Sequence, residues 1–421
     1  MAMSAEERQQ MLLTQPVEKI IPKMALPTIC SMLITSIYNM ADTYFVSQIG
    51  TAEASASGTS ASAAVGIVFS AVAAGVLIAV LGNVFNEPLM RLLGATETAM
   101  PYALDYARYI FLAAPFMMGS LSMNNLLRFQ GLATYGMVGI ISGGLLNMLL
   151  DPLLIFVFDM GIAGASIATA ISQLTSFVIL LVMCSTHADA ITIHPRNYRP
   201  TRQMYAKILN NGLPSLGRQG IMSVSTSLLN NAAAVYGDPA IAAFAIVSRC
   251  LNFVNSTVVG FGQGFQPVCG FNYGARKYDR MHRAFSFSVK VTTIVLLVLG
   301  AAGFAFAEPV VTLFRRSDPE VIRIGTETFR IQILTVWAWG FITLSNMYTQ
   351  AIGYGIRSTI LAAARQGLFL IPTLLVLPNV WGLRGLEVCQ PLADVLTLAL
   401  AVWMMTKVIR AQKAQMAQET A

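Results

Sequence analysis

The chain repeats itself, and its first copy is the shorter one. Ala25-Leu26-Pro27-Thr28 is echoed 187 positions later by Gly212-Leu213-Pro214-Ser215, and Gly50 by Gly237. Further along the offset changes. Glu87-Pro88 returns as Glu308-Pro309 and the pair Gly161, Gly164 as Gly382, Gly385, each displaced by 221, while Gln130 and Pro152 are matched at 220 by Gln350 and Pro372. The step in offset means that the first copy lacks about 34 residues between Gly50 and Glu87. Projected onto the second copy, the missing stretch corresponds roughly to Val258 to Val291, which includes the basic turn Asn272-Tyr273-Gly274-Ala275-Arg276-Lys277. A duplicated chain folds as two like units, and duplication in an apolar sequence is the signature of a carrier with its substrate path between two lobes.

The sequence is apolar enough for that reading. Hydrophobic residues make up 55% and charged residues 11% of 421 positions, with a mean hydropathy of +0.63. Runs of 18 residues or more recur, each long enough as a helix to cross a hydrocarbon layer of roughly 30 Å. Spans are expected near 24–48, 60–85, 103–123, 132–158 and 162–185, then 210–236, 240–271, 285–307, 328–350, 359–378 and 383–406. Segments of about ten residues alternating with period two are lacking, which argues against an outer-membrane barrel. The expected fold class is therefore an all-α membrane protein of two homologous helical lobes, related by a pseudo-two-fold axis along the membrane normal. The amino-terminal lobe is expected over 1–190, a cytoplasmic linker over 191–207 and the carboxy-terminal lobe over 208–421. The first 23 residues carry Glu6, Glu7, Arg8, Glu18, Lys19 and Lys23 and read as a cytosolic lead-in helix with no signal-peptide core.

Charge and count disagree in an informative way. The net charge is +7, but the basic residues are dispersed over the loops between spans, so orientation in the membrane explains them better than nucleic acid does. Five crossings in the first half from an inside start would leave Arg196, Arg199, Arg202 and Lys207 outside, against the positive-inside bias, whereas a six-span first half puts them inside. The charge pattern is that of a twelve-span protein with cytoplasmic termini. Cys30, Cys184, Cys250, Cys269 and Cys389 show no CxxC spacing and read as small packing residues rather than a metal site or disulfide frame.

Carboxylates inside spans need a reason, since each costs at least about 2.5 kcal/mol to insert. Asp42 lies eight residues before Gly50, and Asp151 eight before Asp159. Both are thus about 12 Å from the outer end of their helices. Each has a polar residue one turn earlier on the same face, Tyr38 for Asp42 and Asn147 for Asp151. Thr169 in the next span adds a hydroxyl. Two carboxylates with an amide, a phenol and a hydroxyl suit a proton or a small cation such as sodium, and burial with like charge could let one group load and release a proton near neutral pH. Pro27 and Pro152 interrupt these helices and could bend them. The alternative is that Asp42 faces outer water and Asp151 is a hydrogen-bonded packing residue.

The second half has no copy of this pair: Asp42 maps to Leu229 and Asp151 to about Pro372. Instead Arg249 and Asp394 stand at matched depths, inviting a buried ion pair that gates or shapes a cavity, or merely holds helices together. Gln263, Gln266, Asn252 and Asn255 are cavity candidates with the same structural alternative. No GxxxxGK[ST], HExxH or GxSxG motif is present, which leaves an ion gradient as the energy source and speaks against an enzyme or a bound cofactor.

Tyr38-Asn39-Met40-Ala41-Asp42-Thr43 within the run Pro27 to Gly50, Asn147-Met148-Leu149-Leu150-Asp151-Pro152, and Gly161-Ile162-Ala163-Gly164-Ala165 together resemble the multidrug and toxic compound extrusion (MATE) family, in particular its DNA-damage-inducible-type branch. The resemblance spans nearly the whole chain apart from the gap. It implies twelve helices in two six-helix lobes, export of organic cations or other amphipathic compounds in exchange for protons or sodium, and a coupling site at Tyr38, Asp42, Asn147, Asp151 and Thr169, with Asn124 as a further cavity or gating residue. The expected partners are a small amphipathic or cationic substrate and membrane lipid, for a monomer in the cell inner membrane. A lipid-intermediate flippase of the same architecture and an inactive deletion product are the alternatives.

Overall fold

The computed structural model describes residues 5–47, 64–92, 100–187, 220–222, 224–314 and 318–420. The side chains of 38–47, Tyr38 and Asp42 among them, lie outside the described residues. All regular structure among the described residues is helical. In chain order the helices are α1 (Ala5–Thr14), α2 (Val17–Ser47), α3 (Ala64–Val84), α4 (Asn86–Leu92), α5 (Met100–Phe129), α6 (Ala133–Pro152) and α7 (Gly161–His187). The second half follows with α8 (224–234), α9 (Asp238–Gly274), α10 (Tyr278–Ala305), α11 (Ala307–Phe314), α12 (Pro319–Ile333) and α13 (Trp337–Ala351). It ends with α14 (Gly355–Ala363), α15 (Leu370–Trp381) and α16 (Leu383–Thr420). Two π-helical stretches interrupt the ladder, Leu153–Val157 after α6 and Ala364–Phe369 between α14 and α15.

Eight of the described helical stretches are long and apolar enough to cross a membrane. Large apolar side chains stand exposed along them, as expected of surfaces that meet lipid, for example Leu149, Val157, Ile294 and Val298. Three further spans expected from sequence complete the set differently. Residues 60–85 correspond to α3, and 210–236 falls partly outside the described residues. The 328–350 span is divided between α12 and α13 by a turn at 334–336, which contains neither glycine nor proline.

The duplication is legible in three dimensions. Phe85 and Phe306, 221 positions apart, each close a long helix (α3, α10) and open a short one (α4, α11) with the same pair of backbone bonds to the residues four before and four after. The turns after α5 and α13 share a Schellman-type closure: Leu132 N–H donates to Leu127 C=O and Tyr354 N–H to Thr349 C=O, over Gly131 (φ +79°) and Gly353 (φ +82°). At Gly164 and Gly385 a side chain would run into the backbone of the preceding helix, at Leu154 and Leu377. At the 221 offset α3 matches the latter part of α10, so the first-copy counterpart of the 37-residue α9 would have to fit between Ser47 and Ala64, where the chain has only 16 residues.

The gap leaves a mark on packing. In the second half Gln350 Oε1 accepts from Gln266 Nε2 of α9 at 2.9 Å. Its repeat mate Gln130 has both side-chain polar atoms buried and without a hydrogen-bond partner among the described residues. Gln266 itself lies in the stretch, Val258 to Val291, whose first-copy counterpart is missing.

Two compact units emerge. One comprises Met1–Met11 and Cys30–Leu209, the other Leu12–Ile29 and Asn210–Ala421. In the first, α6 packs on α7 at Gly139 and Gly143, close enough for Ser176 Oγ to reach Gly139 C=O at 2.7 Å, while Gly136 faces Asn124 of α5. In the second, the start of α2 is at home: Val17, Ile20, Ile21 and Met24 are almost fully buried, and Thr28 Oγ1 donates to Gly260 C=O at 2.6 Å.

Candidate functional site

In the first unit the glycine face of α6 brings α7 near enough for side chains of the two helices to meet. Asn147 lies one turn before Asp151 and donates through Nδ2 to Asp151 Oδ1 at 3.1 Å, with Thr169 Oγ1 of α7 at 3.4 Å from the same nitrogen. Asp151 is 0% exposed and Asn147 2%. The amide oxygen of Asn147 is buried and has no hydrogen-bond partner among the described residues. Three of the five expected coupling residues are thus brought together. The other two, Tyr38 and Asp42, lie on α2, and their side chains lie outside the described residues.

Asp151 stands immediately before Pro152, where the α-helical ladder gives way to the π-helical stretch. Proline has no N–H to donate, and beyond it Phe158 N–H bonds to Leu153 C=O, five residues back. The carboxylate therefore sits at a discontinuity in the helix. At Pro27, by contrast, α2 continues helical from Val17 to Ser47. Asn124 is elsewhere: its Oδ1 lies against Gly136, eleven residues from Asn147 along α6, or about 16 Å at the helical rise. Arg128, four residues after Asn124, is buried near the end of α5.

The second unit holds a different cluster. The ion partner of Asp394 is Arg365 rather than Arg249: Arg365 Nε meets Asp394 Oδ1 at 2.7 Å. Gln390 Nε2 donates to the same oxygen at 3.1 Å, while Trp339 Nε1 and Thr335 Oγ1 donate to Oδ2 at 2.7 and 3.0 Å. The guanidinium also stacks over the Trp339 indole, 4.1 Å from the ring centroid. Matching depth along two helices does not fix which way each side chain turns, and Arg365 is a single charge in a run otherwise apolar enough to average it away. Arg365 lies in the π-helical stretch Ala364–Phe369, so both units place a charged residue at or beside a break in helical register. Two turns before Asp394, Glu387 is likewise buried and accepts from Thr328 Oγ1 at 3.2 Å, repeating the α12–α16 spacing of Thr335 and Asp394. Of the proposed cavity residues, Gln266 is buried and bonded to Gln350, and Gln263 is half-buried.

A family model, MatE, matches residues 59–153 and 214–375. Similar proteins include the multidrug export protein MepA of Staphylococcus aureus (strain MSSA476), 27% identical over 310 residues that cover 73% of this chain and 68% of the relative. MepA of Staphylococcus haemolyticus (strain JCSC1435) is 26% identical over 328 residues, covering 78% and 72%. Among solved structures, a crystal structure of MATE in complex with MaL6 superposes with a TM-score of 0.85 at 24% identity over 96% of this chain and 99% of that one. A crystal structure of MATE in the bent conformation gives 0.84 at 22% identity over 98% and 99%. These structural likenesses show a shared fold. With its two halves each matched and more than half of its residues covered by the family model, this multi-pass membrane protein belongs to the MatE family of multidrug efflux transporters.

Proposed function

We propose that the chain is a secondary exporter of drugs or other organic cations, driven by antiport of protons or sodium through alternating access, with the coupling group in the first unit. The single observation that carries this reading is a fully buried membrane carboxylate, Asp151, joined by the Asn147 amide to the hydroxyl of Thr169. A buried carboxylate beside an unpaired amide oxygen and a hydroxyl offers oxygen ligands that either a proton or a sodium ion can use. Asp42 is assigned to the same site from its matching depth in sequence, and Pro152 supplies a place for the helix to yield when the carboxylate changes charge. The names of the MepA relatives support a drug-like substrate. The termini and the linker are taken as cytoplasmic from the distribution of Lys and Arg, in an inner membrane, with a monomer as the working unit and no cofactor.

The test is dye efflux from energised cells expressing the full chain, with protein abundance checked in membranes. The parent is expected to lower dye accumulation, and Asp42→Asn and Asp151→Asn to abolish that effect; efflux equal in parent and variants would reject the coupling role. A second reading, that the chain is an inactive product, is favoured by the 16 residues available where the second half has all of α9. Absence of efflux in the parent would select it.

A further inference from the structure

The end of α1 is held by a part of the chain some 265 residues away. Helix α1 stops at Thr14 with its last carbonyls lacking intrahelical donors, and no basic residue in its own last turn. Donors arrive from the α9–α10 turn. Asn272 Nδ2 donates to Leu12 C=O at 3.2 Å, Lys277 Nζ to Leu13 C=O at 3.2 Å, and Arg280 to the carbonyls of Leu12 and Thr14 at 3.4 Å and of Gln15. Arg283 adds an ion pair to Glu18 at 3.3 Å. Four consecutive carbonyls are thereby met by one amide and two cations, and the cations also face the negative end of the helix dipole. The turn itself is rigidly closed, with Arg276 at φ +56° and Lys277 N–H bonded to Asn272 C=O. Asn272 is fully buried and also donates to Val268 C=O at 2.7 Å.

Beyond the cap, α2 lies on α9 at backbone contact, since side chains at Gly260 or Gly264 would collide with Ile29 or Ala25. The division between the two units falls at Ile29 and Cys30, inside α2, and Asp42 lies on the portion that belongs to the first unit. The counterpart of the capping turn is absent from the first half of the sequence, so this cap serves α1 alone.

We infer that Asn272, Lys277 and Arg280 form a cap that holds residues 12–29 on the second unit, and that Arg280 is a positioning residue for the helix carrying Asp42. The second clause rests on the exporter reading above. Residues up to Ile29, Pro27 included, then act as the fixed part of α2, and any flexing during transport falls beyond them.

Hydrogen exchange of the full chain in lipid nanodiscs, paired with efflux kinetics in vesicles, tests this on Arg280→Ala, Lys277→Ala and Arg280→Lys. Loss of the charge-assisted bonds in Arg280→Ala is expected to speed exchange across 5–29 by about tenfold while leaving α10 and α13 as in the parent. The same variant should lower maximal efflux without changing the half-saturating substrate concentration, and Arg280→Lys should restore most of both. If Arg280→Ala does not reach the membrane, Lys277→Ala is read in the same way. Unchanged exchange over 5–29, or faster exchange with parental efflux, would overturn the inference. A parent chain without efflux would sink the exporter reading instead, and exchange alone would then decide whether the cap holds.

Discussion

Asp151 in the first unit and Asp394 in the second are both buried carboxylates in membrane helices, yet their neighbourhoods differ in kind. Asp394 receives four side-chain donors, one of them a guanidinium stacked on an indole, so its charge is neutralised and its oxygens are filled. Asp151 receives an amide from its own helix, next to an amide oxygen that none of the described residues satisfies. Asp394 thus has its charge-balancing partner built in at Arg365, whereas around Asp151 the contacts among the described residues are an amide and, through that amide, the hydroxyl of Thr169. Duplication kept the scaffold but not the chemistry of its buried carboxylates, and on the proposed reading the second cluster holds while the first changes.

The largest expected effect breaks the comparison at the first unit. Asp151→Asn keeps shape and hydrogen bonding but removes the charge, and gradient-driven efflux should fall to background with the protein still folded. Next, Arg365→Met strands a buried carboxylate in the second unit and should cost about 3–5 kcal/mol, read as a lowered thermal midpoint in detergent. The double variant Arg365→Met/Asp394→Asn, neutral on both sides and still able to accept from Trp339, should recover most of that loss and retain efflux. The smallest effect concerns the two repeat-related glutamines. Gln350→Leu breaks the bond to Gln266 and should destabilise by about 1–3 kcal/mol, because it leaves a buried amide unpaired. Gln130→Leu removes two unpaired polar atoms and should be neutral or stabilising; equal losses at both positions would mean that the first-copy glutamine is satisfied after all.

Much of the scaffold was legible because it rests on local rules. Apolar runs set the spans, and repeated glycines marked the turns and close crossings, as at Gly131 and Gly353 or Gly164 and Gly385. The Asn147–Asp151 contact followed from i,i+4 spacing, and Thr169 from its neighbouring helix. What escaped depended on rotation and on distant partners. Arg249 was paired with Asp394 by depth alone, but azimuth and the π-helical shift at Ala364–Phe369 present Arg365 instead. The split between α12 and α13 carries no glycine or proline to announce it. Nor could periodicity show that residues 12–29 pack with the second unit, since the donors that hold them come from Asn272, Lys277 and Arg280.

On the exporter reading proposed above, the exchangeable charge resides in the first unit and the fixed one in the second. It is tested most directly by reconstituting the parent, Asp151→Asn and Arg365→Met/Asp394→Asn into proteoliposomes and following substrate movement after an imposed proton or sodium gradient. Gradient-driven transport is expected in the parent and the double variant and none in Asp151→Asn. Transport that survives in Asp151→Asn and disappears in the double variant would contradict it.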